Sequence, residues 1–122
     1  MKVLLSIKPE FVERILNGTK KFEFRKGIFK KNVTSVVIYA TMPIGMVVGE
    51  FEVDTILSGH PEEVWDMTEQ YAGISKNFFD EYYEGREKAF AIKINKTIRF
   101  DEPLPLSAIG LNITPPQSYR YL

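Results

Sequence analysis

At 122 residues, with 44% hydrophobic, 13% aromatic and 26% charged content, the chain has the balance of one globular unit able to bury roughly two thirds of its unfolded surface. Sixteen basic residues offset sixteen acidic ones, and there is no cysteine, which excludes disulfides, thiolate metal sites and a strongly cationic nucleic-acid coat. The charges are segregated all the same: residues 1–31 hold nine Lys or Arg against three Glu, and residues 50–87 hold two basic against eleven acidic. One face can therefore attract anions on a neutral molecule, although two solvated faces in mutual balance would leave the same record.

The first element is a strand, with Val3, Leu5 and Ile7 alternating with Leu4, Ser6 and Lys8. Its apolar run is cut short by Ser6, Lys8 and Pro9, so no signal peptide is read and the cytoplasm is the default compartment. Pro9 then suits the first helical position, Phe11 pairs with Ile15 and Val12 with Leu16 at i,i+4, and Gly18 stands where a left-handed C-terminal cap belongs. A helix over 9–17 follows, then a strand over 20–25 and a basic connection through Lys26, Lys30 and Lys31. Val36 to Ala40 reads as a buried strand, Met42-Pro43-Ile44-Gly45 as a turn, and Met46 to Val53 as another strand with Gly49 at a bulge or close contact.

Pro61 opens a helix that ends near Gly73, with Glu62 and Glu63 in its first turn where the helix dipole favours them. Ser75 caps a second helix ended by Gly85, and its Phe78, Phe79, Tyr82 and Tyr83 read as core. Ala89 to Ile94 alternates as a strand that Thr97 to Phe100 extends or pairs with. The tail from Pro115 to Leu122, carrying Tyr119 and Tyr121, either closes the sheet or meets a partner. Strands at regular intervals with helices inserted in two places predict an α+β fold. We expect a small mixed β-barrel of five or six strands and three helices, in a single domain over 1–122. No stretch approaches the roughly 18 apolar residues of a spanning helix.

Chemistry is concentrated in Gly18-Thr19-Lys20-Lys21-Phe22-Glu23-Phe24-Arg25. No phosphate-loop glycine pattern or zinc-type histidine pair occurs, and the sole histidine, His60, precedes Pro61 as a helix start. No cofactor or metal is called for. Lys and Arg hold phosphate oxygens, a carboxylate such as Glu23 accepts from an exocyclic amino group, and aromatic rings stack on bases, so the mixture suits single-stranded RNA or a nucleoside. It would also make an ordinary salt-bridged strand face. Alternation puts Lys21, Glu23 and Arg25 on one face and Phe22 and Phe24 on the other, so Lys20 can join Glu23 and Arg25 only from the turn before regular pairing begins.

The spacing of Gly18, Lys20, Glu23 and Arg25 resembles the signature of the ASCH domains, which share the PUA-like barrel associated with RNA binding. Ser6-Ile7-Lys8-Pro9, Val37-Ile38-Tyr39-Ala40 with Pro43 and Gly45, Val48-Gly49-Glu50-Phe51 and Pro116-Gln117-Ser118-Tyr119 extend the resemblance along the chain. It implies a cleft between barrel and helices that takes RNA or a modified nucleotide. Lys20 and Arg25 would engage phosphate or a carbonyl there, Glu23 would orient Lys20 or accept from a base, Ser6 and Lys8 would join from the neighbouring strand end, and Tyr39 would stack.

A binding module, regulatory in role, is the expected function. Alternatives are an amidohydrolase acting on N4-acylcytidine, as in some similar domains, or a ribonuclease, each with Lys20 as the catalytic residue. The amidohydrolase reading meets Glu23 where a threonine is required. A carboxylate beside Lys20 would hold its proton more tightly, and Glu69 is the candidate for the missing distant glutamate. A ribonuclease would draw acid, base and charge stabilisation from Lys20, Arg25 and a tyrosine.

Overall fold

The alternation of Val3, Leu5 and Ile7 sends these side chains to one face of a strand, β1 (Lys2–Ile7), and Pro9 with the Lys8 backbone turns the chain directly into helix α1 (Pro9–Leu16). The computed structural model describes residues 1–110 and 113–122. Four further strands and two helices follow α1 in the order β2 (Phe22–Arg25), β3 (Ser35–Ala40), β4 (Met46–Gly59), α2 (Pro61–Thr68), α3 (Lys76–Tyr82) and β5 (Ala89–Leu104), and β6 (Tyr119–Tyr121) ends the chain. Among the described residues the six strands form one mixed sheet in the order β2-β5-β4-β3-β1-β6, with β1 and β3 parallel and the other pairs antiparallel. The expected α+β architecture of six strands and three helices is the one observed, the sheet curling into a half-barrel.

Two strands run longer than their sequence pattern predicts. Asp54 and Thr55 interrupt the apolar alternation of β4, yet the strand continues to Gly59 because Thr55 to Gly59 stay paired with Lys93 to Ala89 of β5. Likewise Asn95 and Lys96 do not break β5. Phe51 pairs with Thr97 and Val53 with Ile94, so Asn95 and Lys96 together oppose the single residue Glu52 and the one extra residue is absorbed in a bulge. Gly49 stands beside another register shift, where a Cβ would run into the carbonyl of Ile98 and the side chain of Leu16.

The curled sheet divides the apolar residues into separate cores. Val3, Leu5, Ile7, Val36, Ile38, Phe51, Ile92 and Ile94 pack inside the barrel with Val12 and Ile15 of α1. On the other face Phe22, Phe24, Ala89 and Ala91 pack under α2 and α3 through Val64, Trp65, Phe79 and Tyr83. His60 caps α2, its Nδ1 accepting the Glu62 N–H at 3.3 Å, and the Ser75 hydroxyl oxygen accepts the Phe78 N–H at 3.1 Å to cap α3.

The strands β2 and β6 are the two free edges of the sheet. Side chains clasp the seam between them: the Arg25 guanidinium donates to the Ser118 carbonyl at 2.8 Å, and the Tyr121 hydroxyl accepts the N–H groups of Lys30 and Lys31 at 2.9 and 3.2 Å. The tail therefore bridges the open seam of the half-barrel through side chains. No helix is long and apolar enough to cross a membrane, among the described residues.

Candidate functional site

Where this seam meets the α2–α3 side, a cleft of about 550 Å³ opens. Its polar corner comes from three chain segments: Ser6 and Lys8 at the end of β1, Glu23 and Arg25 on β2, and Lys20 in the turn before β2. Its apolar wall is Phe11 of α1, Phe24, Ile74, and Phe78 and Tyr82 of α3, with Pro115 and Pro116 of the tail opposite.

Lys20 sits outside the regular strand, as joining Glu23 and Arg25 requires, and is 2% exposed. Its ammonium donates to the Ala72 carbonyl at 2.8 Å and lies 4.6 Å from the centre of the Phe24 ring and 5.6 Å from that of Phe11. Burial pushes its pKa down from 10.5 to about 8, a fall that Glu23 opposes and Arg14 reinforces. The sequence expectation that the neighbouring carboxylate would govern this lysine is therefore corrected: loss of hydration outweighs the carboxylate.

Glu23 is itself buried, and its Oε2 accepts from Arg25 at 3.3 Å. The Arg25 backbone is pinned in turn by Tyr83, whose buried hydroxyl donates to the Arg25 carbonyl at 2.9 Å. Burial also raises the pKa of the Tyr82 hydroxyl, which keeps it protonated in the neutral range. The cleft thus offers three cations, the buried Lys20, the paired Arg25 and Lys8, with one carboxylate and a phenol against an aromatic wall. Among the described residues no group of three or more His, Cys, Asp or Glu side chains could hold a metal.

Of the residues singled out from the sequence, Lys20, Glu23, Arg25, Ser6 and Lys8 line this cleft together and Tyr39 does not. Tyr39 is buried on a third apolar cluster with Leu4, Val37 and Val47, covered by Phe100, Leu106 and Ile109. Ser6 is its register partner, yet it reaches the cleft because its hydroxyl donates to the Pro116 carbonyl at 2.7 Å, drawing the tail over the strand end. Glu69 and His60 are exposed outside the cleft, so the amidohydrolase reading lacks its third member. Lys21 points away, its ammonium 4.3 Å from the centre of the exposed Tyr71 ring.

The sequence reading missed Phe78 and Tyr82. The aromatic run of α3 carries two i,i+4 pairs on adjacent stripes: Phe79 and Tyr83 enter the core, whereas Phe78 and Tyr82 face the cleft. The doubling of aromatic pairs was the available signal, because one core stripe needs only one of them.

Fold and cleft together define a small half-barrel with a cleft at its seam. The chain belongs to the ASCH domain family, which matches residues 5–98. It is 32% identical to the ASCH domain-containing ribonuclease of Zymomonas mobilis over 99% of this chain and 84% of that protein. The crystal structure of ASCH from Zymomonas mobilis superposes with a TM-score of 0.91 at 31% identity, covering 99% of this chain and 87% of that one. A large ribosomal subunit protein uL22 of Ureaplasma parvum is 29% identical over 98% of this chain, which spans 39% of that longer protein.

Proposed function

We propose that the cleft takes single-stranded RNA, seating one unstacked nucleotide between the aromatic wall and the Lys20–Glu23–Arg25 corner. The observation that carries this reading is the convergence of a buried carboxylate, a guanidinium and a buried lysine on a cleft walled by Phe11, Phe78 and Tyr82. Rings stack on a base whatever its identity, Arg25 and Lys8 supply phosphate contacts, and Glu23 accepts from a base amino group. An overall charge of zero suits a short structured site rather than a long electrostatic groove. The ribonuclease name of the Zymomonas relative supports an RNA partner.

A second reading, cleavage at the same corner, is favoured by the burial of the Lys20 ammonium against the Ala72 carbonyl and the Phe24 and Phe11 rings, which lowers its pKa. A neutral Lys20 amine would take the proton of an RNA 2′-hydroxyl as that oxygen attacks the adjacent phosphorus. Arg25 would stabilise the charge on the phosphoryl oxygens, the P–O5′ bond would break, and Tyr82 would return a proton to the departing 5′-oxygen. The products are a 2′,3′-cyclic phosphate and a 5′-hydroxyl.

Both readings are tested with an end-labelled 12-mer of mixed single-stranded RNA and its all-2′-deoxy counterpart. Saturable RNA binding that is lost in Lys20→Ala supports the site. Cleavage of RNA alone, absent in Lys20→Arg because arginine stays protonated, supports the proton-transfer role. Binding without turnover removes cleavage and keeps the binding reading; no binding at moderate salt removes both.

A further inference from the structure

The cleft residues do not explain how a lysine comes to rest in an apolar slot. The answer lies in Arg14 and in the connection Ala72-Gly73-Ile74, neither belonging to the signature. The Arg14 carbonyl accepts the Lys20 N–H at 2.9 Å, and the Arg14 guanidinium donates to the Gly73 carbonyl at 2.8 Å. One residue thereby fixes the Lys20 backbone and the strap that lies across the Lys20 side chain. Gly73 has a positive φ of 69°, and a Cβ added there would collide with the Cβ, Cγ and Cδ of Lys20. The adjoining Ala72 carbonyl takes the Lys20 ammonium.

We infer that Arg14 and Gly73 are positioning residues for Lys20: Gly73 supplies the bare backbone under which the lysine stem passes, and Arg14 ties that strap to the turn from which the lysine springs. The inference rests on the reading that Lys20 is the working group of the cleft. Glycine is needed at position 73 on two counts, its left-handed backbone and the absence of a side chain where Lys20 lies. Arg14 forms no ion pair with a carboxylate among the described residues. Its charge, lying over the Phe11 ring at 5.6 Å, is therefore felt by Lys20. The charged groups around Lys20 are Arg14 on α1, Glu23 and Arg25 on β2 and Lys8 beyond β1, with the Tyr82 phenol on α3.

The test is a titration of the Lys20 side-chain resonances by NMR in the intact chain without RNA, so its outcome is independent of whether the cleft binds RNA. In the unsubstituted protein the Lys20 Cε and its protons should titrate near 8 and show contacts to the Phe24 and Phe11 rings. Gly73→Ala should break those contacts and raise the midpoint by about one pH unit or more as the stem moves toward solvent. Arg14→Gln should raise it by roughly half a unit and weaken the contacts, and Arg14→Lys should restore the midpoint more fully than the contacts, because lysine returns the charge without the planar fork. Should Gly73→Ala not fold, the Arg14 pair still decides. A folded Arg14→Gln protein with Lys20 midpoint and ring contacts unchanged would overturn the inference.

Discussion

Residues 20–25 and residues 26–31 are about equally basic, yet apart from the exposed Lys21 they have opposite fates. In the first, Lys20 is buried, Glu23 is buried and Arg25 is held at both ends of its side chain and backbone. In the second, Lys26, Lys30 and Lys31 are all exposed, Lys26 lying over Tyr82 at 4.6 Å and Lys31 over Tyr121 at 4.9 Å, and none of them forms an ion pair among the described residues. The difference teaches that equal charge density is treated in two ways by the fold, which dehydrates and fixes a few cations and leaves the others in solvent; on the proposed reading it is the dehydrated and fixed ones that act on a ligand.

The sharpest way to break that contrast is to delete lysines from each segment. Lys20→Ala should lower RNA turnover about a hundredfold or more, or abolish saturable binding if the protein only binds. A double Lys30→Ala and Lys31→Ala variant should stay within about twofold at moderate salt, its main effect being a smaller salt slope. Equal losses from the two segments, measured by the same labelled-RNA assay, would show that bulk charge carries the interaction.

Stability should move the other way. The folded Lys20 binds its proton less readily than an unfolded one, so the unfolded chain holds more protons between pH 8 and 10.5 and folding strengthens as pH rises through that window. At pH 7 the full cost of the buried charge is present. Lys20→Met should therefore stabilise the fold by about 1–3 kcal/mol at pH 7, less the lost hydrogen bond to Ala72, with the gain shrinking above about pH 10. Urea unfolding at the two pH values checks this, and a variant destabilised equally at both would contradict it.

Smaller effects sharpen the picture within the corner itself. Glu23→Gln removes the charge that holds the Lys20 proton, so the Lys20 midpoint should fall further while RNA affinity drops about tenfold through the loosened Arg25. Ser6→Ala removes the hydroxyl that donates to the Pro116 carbonyl. We expect a loss of about 1 kcal/mol in stability and a twofold change in RNA affinity at most, read by thermal unfolding and titration.

Much of this was legible in the sequence because it is local. The i,i+4 pairs of α1, the left-handed Gly18 and the turn placement of Lys20 are decided by residues within a few positions of one another. What escaped was set at long range. The strap over Lys20 arrives from residues 72–73, and the tail wall from residues 115–117, held by Ser6 and Arg25. Tyr39 stood beside Ser6 as a candidate only through the family resemblance, and the packing of Phe100, Leu106 and Ile109 against its cluster, distant in sequence, commits it to a core. The pKa of Lys20 was misjudged for the same reason: Glu23 is visible three residues away, but the burial that outweighs it is not.

The most direct measurement of the central claim is an NMR titration of isotope-labelled protein with a short single-stranded RNA at low and moderate salt, following amides of residues 18–31 and 72–82. The account predicts saturable shifts centred on Lys20, Glu23, Arg25 and the Phe78–Tyr82 stripe, persisting at moderate salt, with small shifts at Lys30 and Lys31 that vanish there. Shifts confined to the exposed lysines, or silence across the cleft, would contradict it.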